Sequence, residues 1–157
     1  MSAPSLLLIG GTRFVGRALL EEALAMGWNV TAFHRGQTGA ELFQDDPRVT
    51  HVIGDRDKDL SPLDRGTWDA VVDCIGYFPE PTIKTAKFLK GRAGAYAFVS
   101  TISVYREGEG LFTEDSADLM TLPEGADLSK ITGENYGALK VQCEEGLNQV
   151  TERRCLH

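Results

Sequence analysis

Cysteine and histidine are scarce in this sequence, three of each, and neither is arranged for chemistry. Cys74, Cys143 and Cys155 form no C-x-x-C pair and are odd in number, a pattern that suits reduced thiols better than a disulfide framework. His34, His51 and His157 lack metal-ligand spacing, which argues against a zinc site, and no metal is expected. Long apolar runs are missing as well: none approaches the ~18 residues of a membrane span. Met1-Ser2-Ala3-Pro4 lacks the basic and apolar regions of a signal peptide, so a cytoplasmic protein without a membrane partner is expected. A surplus of positive charge is also absent. The formal net charge of −7 argues against sequence-independent nucleic-acid binding, and no nucleic-acid partner is expected.

What remains is a chain of 157 residues, 42% of them hydrophobic, enough for one domain over 1–157 with a proper core. Strand-like runs bounded by turn residues recur at Ser5 to Ile9, Asn29 to His34, Val49 to Ile53, Trp68 to Ile75 and Ala95 to Thr101. From Phe14 to Met26, Val15, Ala18, Leu19, Ala23 and Met26 recur at helical steps, and Gly27 follows as a stop. From Glu80 to Leu89, Ile83, Ala86 and the Lys87 stem share one face. The near-continuous apolar strands and the β-α alternation predict a doubly wound α/β fold with a parallel, Rossmann-type sheet. Between His34 and Val49 only a weak helix, Ala40 to Gln44, is expected. Asp55 to Arg65 reads as polar loop. No internal repeat or low-complexity tract is present. A long segment from Tyr105 to Thr132 carries Glu107, Glu109, Glu114, Asp115, Asp118, Glu124 and Asp127, and reads equally as a solvated excursion or a substrate-facing one.

The stretch Gly10-Gly11-Thr12-Arg13-Phe14-Val15-Gly16 stands between the first strand and the first helix. Glycines there let the backbone turn and approach a pyrophosphate, which the helix start favours electrostatically. Arg13 occupies the middle glycine position of a G-x-x-G-x-x-G spacing; a guanidinium near the phosphates replaces close approach with charge. About twenty residues on, an NAD site usually offers a carboxylate to the ribose. This sequence has His34 and Arg35 instead, so NADP is expected, with NAD as the alternative. The plain reading, in which Arg35 is a solvated residue after a strand, stays open.

Tyr136 and Lys140 lie four apart on a helical segment, and Tyr136, Lys140, Cys143 and Leu147 form a stripe facing the protein. A tyrosine with an unperturbed pKa of ~10 is a poor base near neutrality; a neighbouring ammonium stabilises its phenolate. The pair could exchange a proton with a substrate hydroxyl while hydride passes to or from a nicotinamide. A hydroxyl after the fifth strand, from Thr101 or Ser103, could orient the substrate oxygen.

Taken together, LLLIGGTRFVG, HRG, GDRD, WDAVVDCIGY, YAFVSTISVY and YGALKVQCEE, in this order, resemble the extended short-chain dehydrogenase/reductase family, the NAD(P)-dependent epimerase/dehydratase group. The arginine-bearing loop is similar to a branch of reductase-like and stem-loop RNA-binding proteins. The resemblance implies a catalytic set of Thr101, Tyr136 and Lys140. It places cofactor contacts at Gly10, Gly11, Thr12, Arg13, Phe14, Val15 and Gly16, and at His34 and Arg35. Further contacts are implied at Asp55 with Arg56, at the turn Cys74-Ile75-Gly76, and at Tyr136 and Lys140 themselves. Family members are about twice this length and draw their substrate residues largely from the second half, so the chain is expected to stop before a sixth strand.

The expected function is an NAD(P)-dependent oxidoreductase or epimerase/dehydratase acting on a secondary alcohol or ketone, with sugar nucleotides among the candidates. A non-catalytic NADP-binding regulator or RNA-associated protein on the same fold is the alternative. The resemblance also implies a homodimer through Glu80 to Lys90 and Asn135 to Val150. Self-association through an open sheet edge is a third possibility.

Overall fold

The computed structural model describes residues 2–106, 113, 118–151 and 155–156. Glu107, Glu109, Glu114 and Asp115 of the acidic segment lie outside them, as do Arg153, Arg154 and His157. Five strands, β1 (Ser5–Ile9), β2 (Asn29–His34), β3 (Val49–Ile53), β4 (Trp68–Asp73) and β5 (Ala93–Phe98), are joined by β6 (Cys155–Leu156). They form one parallel sheet in the order β3-β2-β1-β4-β5-β6. Two residues of the sixth strand are therefore within the chain, where the sequence reading placed the break just ahead of it.

Helices α1 (Phe14–Ala25), α2 (Pro79–Leu89) and α3 (Tyr136–Thr151) cover the sheet. Alternation along β1 divides its side chains between the two faces. Leu6 and Leu8 join Leu20, Ala23 and Leu24 of α1 in one core layer. Leu7 and Ile9 join Ala86 and Leu89 of α2 and Cys143, Leu147 and Val150 of α3 in the other. Both faces of the central strand are thus apolar, which explains its unbroken hydrophobic run. No helix among the described residues is long and apolar enough to cross a membrane.

Several local expectations shift. The buried face of α1 is Gly16, Leu20, Ala23 and Leu24, while Val15 and Met26 are 50% and 65% exposed. The three- and four-residue steps were legible but their phase was not, because the glycine loop sets where the helix begins. On α2 the buried positions are Thr82, Thr85, Ala86 and Leu89, and Lys87 is exposed. Residues 40–45 form turns, not a helix. Phe43 there adopts φ 57° and packs against the α1 layer, and the Leu42 carbonyl is taken by His51. Residues 55–65 are polar on average yet well anchored: Leu60 and Leu63 are buried, the latter on a 3-10 turn, Ser61–Leu63. Strands β4 and β5 end earlier than expected. Asp73 accepts the Ile75 amide on its own side chain at 3.1 Å, which turns the chain out of the sheet.

Candidate active site

A cleft of about 670 Å³ opens at the carboxyl edge of the sheet, where strand order reverses on either side of β1 and open α/β sheets bind ligands. The glycine loop forms its floor. Gly10 donates its amide to the Phe33 carbonyl at 2.9 Å. At Gly16 a Cβ would run into the Gly10 carbonyl and lie 2.9 Å from the Gly11 Cα, so loop and helix can approach this closely only with glycine.

Arg13 is the N-cap of α1, in extended conformation, with no side-chain hydrogen bond to the helix and no acidic residue in the first turn. The amides at this helix start therefore point toward the cleft with their positive dipole end uncompensated. Phe14 follows at φ 41°, a strained conformation for a non-glycine residue; it lines the cleft and is 91% exposed. Arg13 and Arg35 both line the cleft and both are exposed. Neither forms a described ion pair, so two guanidiniums are available to an anion.

His34, expected as a 2′-phosphate or ribose contact, is also engaged within the protein. It lines the cleft, but its Nδ1 accepts the Gly36 amide at 3.1 Å and its Nε2 lies 2.8 Å from His51 Nδ1. Arg56, which also lines the cleft, is engaged likewise. Its Nη1 meets Asp73 at 2.7 Å with both side chains buried, and its Nη2 donates to the Pro81 carbonyl at 3.3 Å. Burial opposes the charge of Arg56, and Asp73 outweighs burial, so its pKa stands above the ordinary arginine value. Its Nε is buried without a partner. Asp73 also accepts the Tyr96 hydroxyl at 2.9 Å. Arg56 thus belongs to the wall of the cleft, and its guanidinium is committed to Asp73. Asp55, half-buried, lines the cleft and pairs with Lys58 at 3.6 Å.

Beside Asp73, burial first and Asp73 second push the Cys74 thiol up to about 12, which favours its protonated form. Lys140 is 2% exposed. Its Nζ donates to the carbonyls of Gly76 at 3.0 Å and Val99 at 2.6 Å, and it lies 3.9 Å over the Phe98 ring. Burial lowers the Lys140 pKa, with Cys143, Asp73 and Glu144 opposing the shift. Tyr136 opens α3 and also lines the cleft, its ring 6.4 Å from that of Tyr77. Burial, with a smaller contribution from Tyr136, raises the Tyr77 pKa.

Thr101 is not among the lining residues. Its hydroxyl accepts the Ser103 amide at 3.2 Å and caps the turn Ile102–Val104. Gly11 and Gly76 are likewise not among the lining residues. Ser100 lines the cleft instead and donates to Glu144.

Sequence reasoning missed Asp73, whose signal was a carboxylate closing an otherwise apolar strand. It also missed Asn135, buried beside Tyr136. Asn135 Oδ1 accepts the Thr132 amide at 2.8 Å, and its Nδ2 donates to the carbonyls of Asp127 and Lys130, both at 2.9 Å. This one amide ties the end of the long segment to the start of α3. The described part of that segment doubles back: Tyr105 bridges Leu119 in antiparallel fashion, and the Met120 amide donates to the Val104 carbonyl at 2.7 Å.

Comparison with solved structures decides the fold. A dTDP-glucose 4,6-dehydratase of Bacillus anthracis in complex with NAD superposes at TM-score 0.72 with 15% identity, over 98% of this chain and 53% of that one. An epimerase of Methanothermobacter thermautotrophicus gives TM-score 0.76 with 16% identity, over 97% and 48%. A protein of short-chain dehydrogenase/reductase type from Burkholderia multivorans, with bound NADP, gives 0.71 with 16% identity, over 98% and 74%. The chain shares with these structures its fold, a doubly wound α/β arrangement around a parallel sheet. The chain spans about half the length of the dehydratase and the epimerase. No protein-family model matches the sequence, and no curated protein matches it.

Proposed function

We propose that this cleft binds a nicotinamide dinucleotide, NADP in preference to NAD. The chain is then the cofactor-binding part of an oxidoreductase or epimerase/dehydratase acting on a secondary alcohol or ketone, a sugar nucleotide being the leading candidate. One observation carries the reading: the glycine loop and the Tyr136/Lys140 pair, at opposite ends of the sequence, line the same cleft. The residues fit such a group, because Gly16 leaves no room for a Cβ and the helix start beside it is uncapped.

In this reading the α1 amides and Arg13 hold the pyrophosphate, Arg35 holds a 2′-phosphate, and Asp55 faces the adenine. Cys74, Ile75 and Gly76 border the nicotinamide ribose. When bound, the dinucleotide supplies the hydride donor or acceptor. Tyr136 exchanges the proton of the substrate hydroxyl, and the Lys140 ammonium favours its phenolate. Thr101 orients the substrate oxygen after its hydroxyl turns from Ser103.

Calorimetric titration tests the binding reading. NADPH is expected to bind about tenfold more tightly than NADH, a difference of ~1.4 kcal/mol, and binding of neither would overturn it. Tyr136→Phe tests the chemistry: turnover by the full-length protein should fall about 10²- to 10⁴-fold with cofactor affinity retained. The Thr101 and Lys140 hydrogen bonds within the protein favour one rival, a cofactor-binding protein without turnover, in which the same substitution changes nothing.

A further inference from the structure

The two histidines at the cleft rim form a directional chain. A backbone amide can only donate, so the Gly36 amide, 3.1 Å from His34 Nδ1, requires that nitrogen to be unprotonated. Neutral His34 therefore carries its proton on Nε2 and donates to His51 Nδ1 at 2.8 Å. His51 in turn carries its proton on Nε2 and donates to the Leu42 carbonyl at 2.8 Å, a group that can only accept. All three bonds exist together only when both rings are neutral. A proton added to either ring sets two N–H groups face to face at some point along the chain.

The bonds begin and end on the segment between β2 and β3, at Gly36 and Leu42. Strand pairing makes this possible. His34 lies opposite Ile53, and His51, two residues earlier on β3, shares its face. The segment so held includes Gln37 and Thr38, which line the cleft, and begins one residue after Arg35. It also touches the glycine loop: a Cβ on Gly39 would lie 3.0 Å from the Thr12 Cβ.

We propose that His34 and His51 are positioning residues that fix the Gly36–Leu42 segment next to Arg35 at the cleft rim and release it on protonation, making recognition of the 2′-phosphate end pH-dependent. This rests on the proposed dinucleotide site. Burial first and His51 second hold the His34 pKa below its ordinary 6.5. A group that is neutral in the folded form binds fewer protons than in the unfolded chain, so the hold is complete above pH 6.5 and is lost as pH falls through the lowered value.

The surrounding charges leave the pair in control. On the β2–β3 segment Asp46 is paired with Arg48 at 2.7 Å, with Arg35, Glu41 and Asp45 beside them. After β3, Asp55 and Arg56 are paired with Lys58 and Asp73 respectively, and Asp57 is exposed. The glycine loop adds Arg13, and β1 carries no ionisable side chain. None of these perturbs the His34 charge as His51 does.

The test compares wild type with His51→Gln, whose amide can accept and donate like the neutral ring but does not titrate, and with His51→Phe, which does neither. At about pH 8 the Gln variant should bind NADPH within about threefold of wild type, and the Phe variant about tenfold more weakly. His34 still titrates in the Gln variant, so between about pH 8 and about pH 5.5 wild type should lose about tenfold more affinity than the double variant His34→Gln/His51→Gln, which has no imidazole at either position, the ligand's own phosphate titration being common to both. Equal pH slopes, or wild-type affinity in the Phe variant, would overturn the proposal. Ring-nitrogen NMR provides a cofactor-free measurement at pH about 8: both rings should carry the proton on Nε2, and an Nδ1–H tautomer on His34 refutes the relay. If wild type binds no dinucleotide, the functional reading fails, and the tautomers with the Gly36 amide exchange rate still judge the relay. If the Phe variant does not fold, the double variant's pH slope and the tautomers decide.

Discussion

At one end of the cleft Lys140 and the Arg56–Asp73 pair are buried and held by named partners, whereas at the other Arg13 and Arg35 stand exposed with no described ion pair. A charge inside protein is tolerated only when it is paired or hydrogen-bonded, and breaking the arrangement costs far more than building it gains. An exposed guanidinium costs the fold little and stays available to an anion. The buried end therefore sets stability and geometry. The exposed end sets which ligand is preferred.

Substitutions separate the two ends. The largest stability effect is expected for Asp73→Ala, which leaves Arg56 charged and buried: about 3–5 kcal/mol lost in urea denaturation, with most of it recovered when Arg56→Met and Asp73→Leu are combined. Next comes Asn135→Ala, which strands two carbonyls and an amide beside Tyr136 and should cost about 1–3 kcal/mol by the same measurement. At the exposed end Arg35→Ala should change stability by less than about 0.5 kcal/mol. Its NADPH affinity should fall about tenfold in titration, NADH affinity being unaffected; an equal loss for both would place Arg35 elsewhere. Arg13→Gly should weaken both cofactors, and an unchanged affinity would make Arg13 a bystander in the loop. The smallest effect is kinetic: Cys74, its thiol pushed up to about 12, should be alkylated at least about tenfold more slowly than free cysteine near pH 8, because the thiolate is the reactive form.

Much of this contrast was legible in the chain. Strands β1, β2 and β3 were placed to the residue, because each is an apolar or β-branched run closed by turn residues. The stripe of Lys140, Cys143 and Leu147 on α3 is buried as its spacing required. The β2–β3 connection was misread because a short apolar cluster, Leu42-Phe43, resembles part of a helix. Its carbonyl is satisfied from a neighbouring strand, and Phe43 is inserted into the core at positive φ. The roles of Arg56 and His34 were hidden for the same kind of reason: their partners, Asp73 and His51, each stand 17 residues away.

By itself the sequence determined the parallel α/β layering, the glycine loop at the first strand-helix junction and the shared face of Tyr136 and Lys140. These follow from periodicity and local backbone sterics, which act within a few residues. Only the tertiary structure decided which charges are committed and which are free. That choice depends on desolvation and on contacts between distant segments, and two arginines written alike in the chain, Arg35 and Arg56, end up exposed at the rim and buried in the wall.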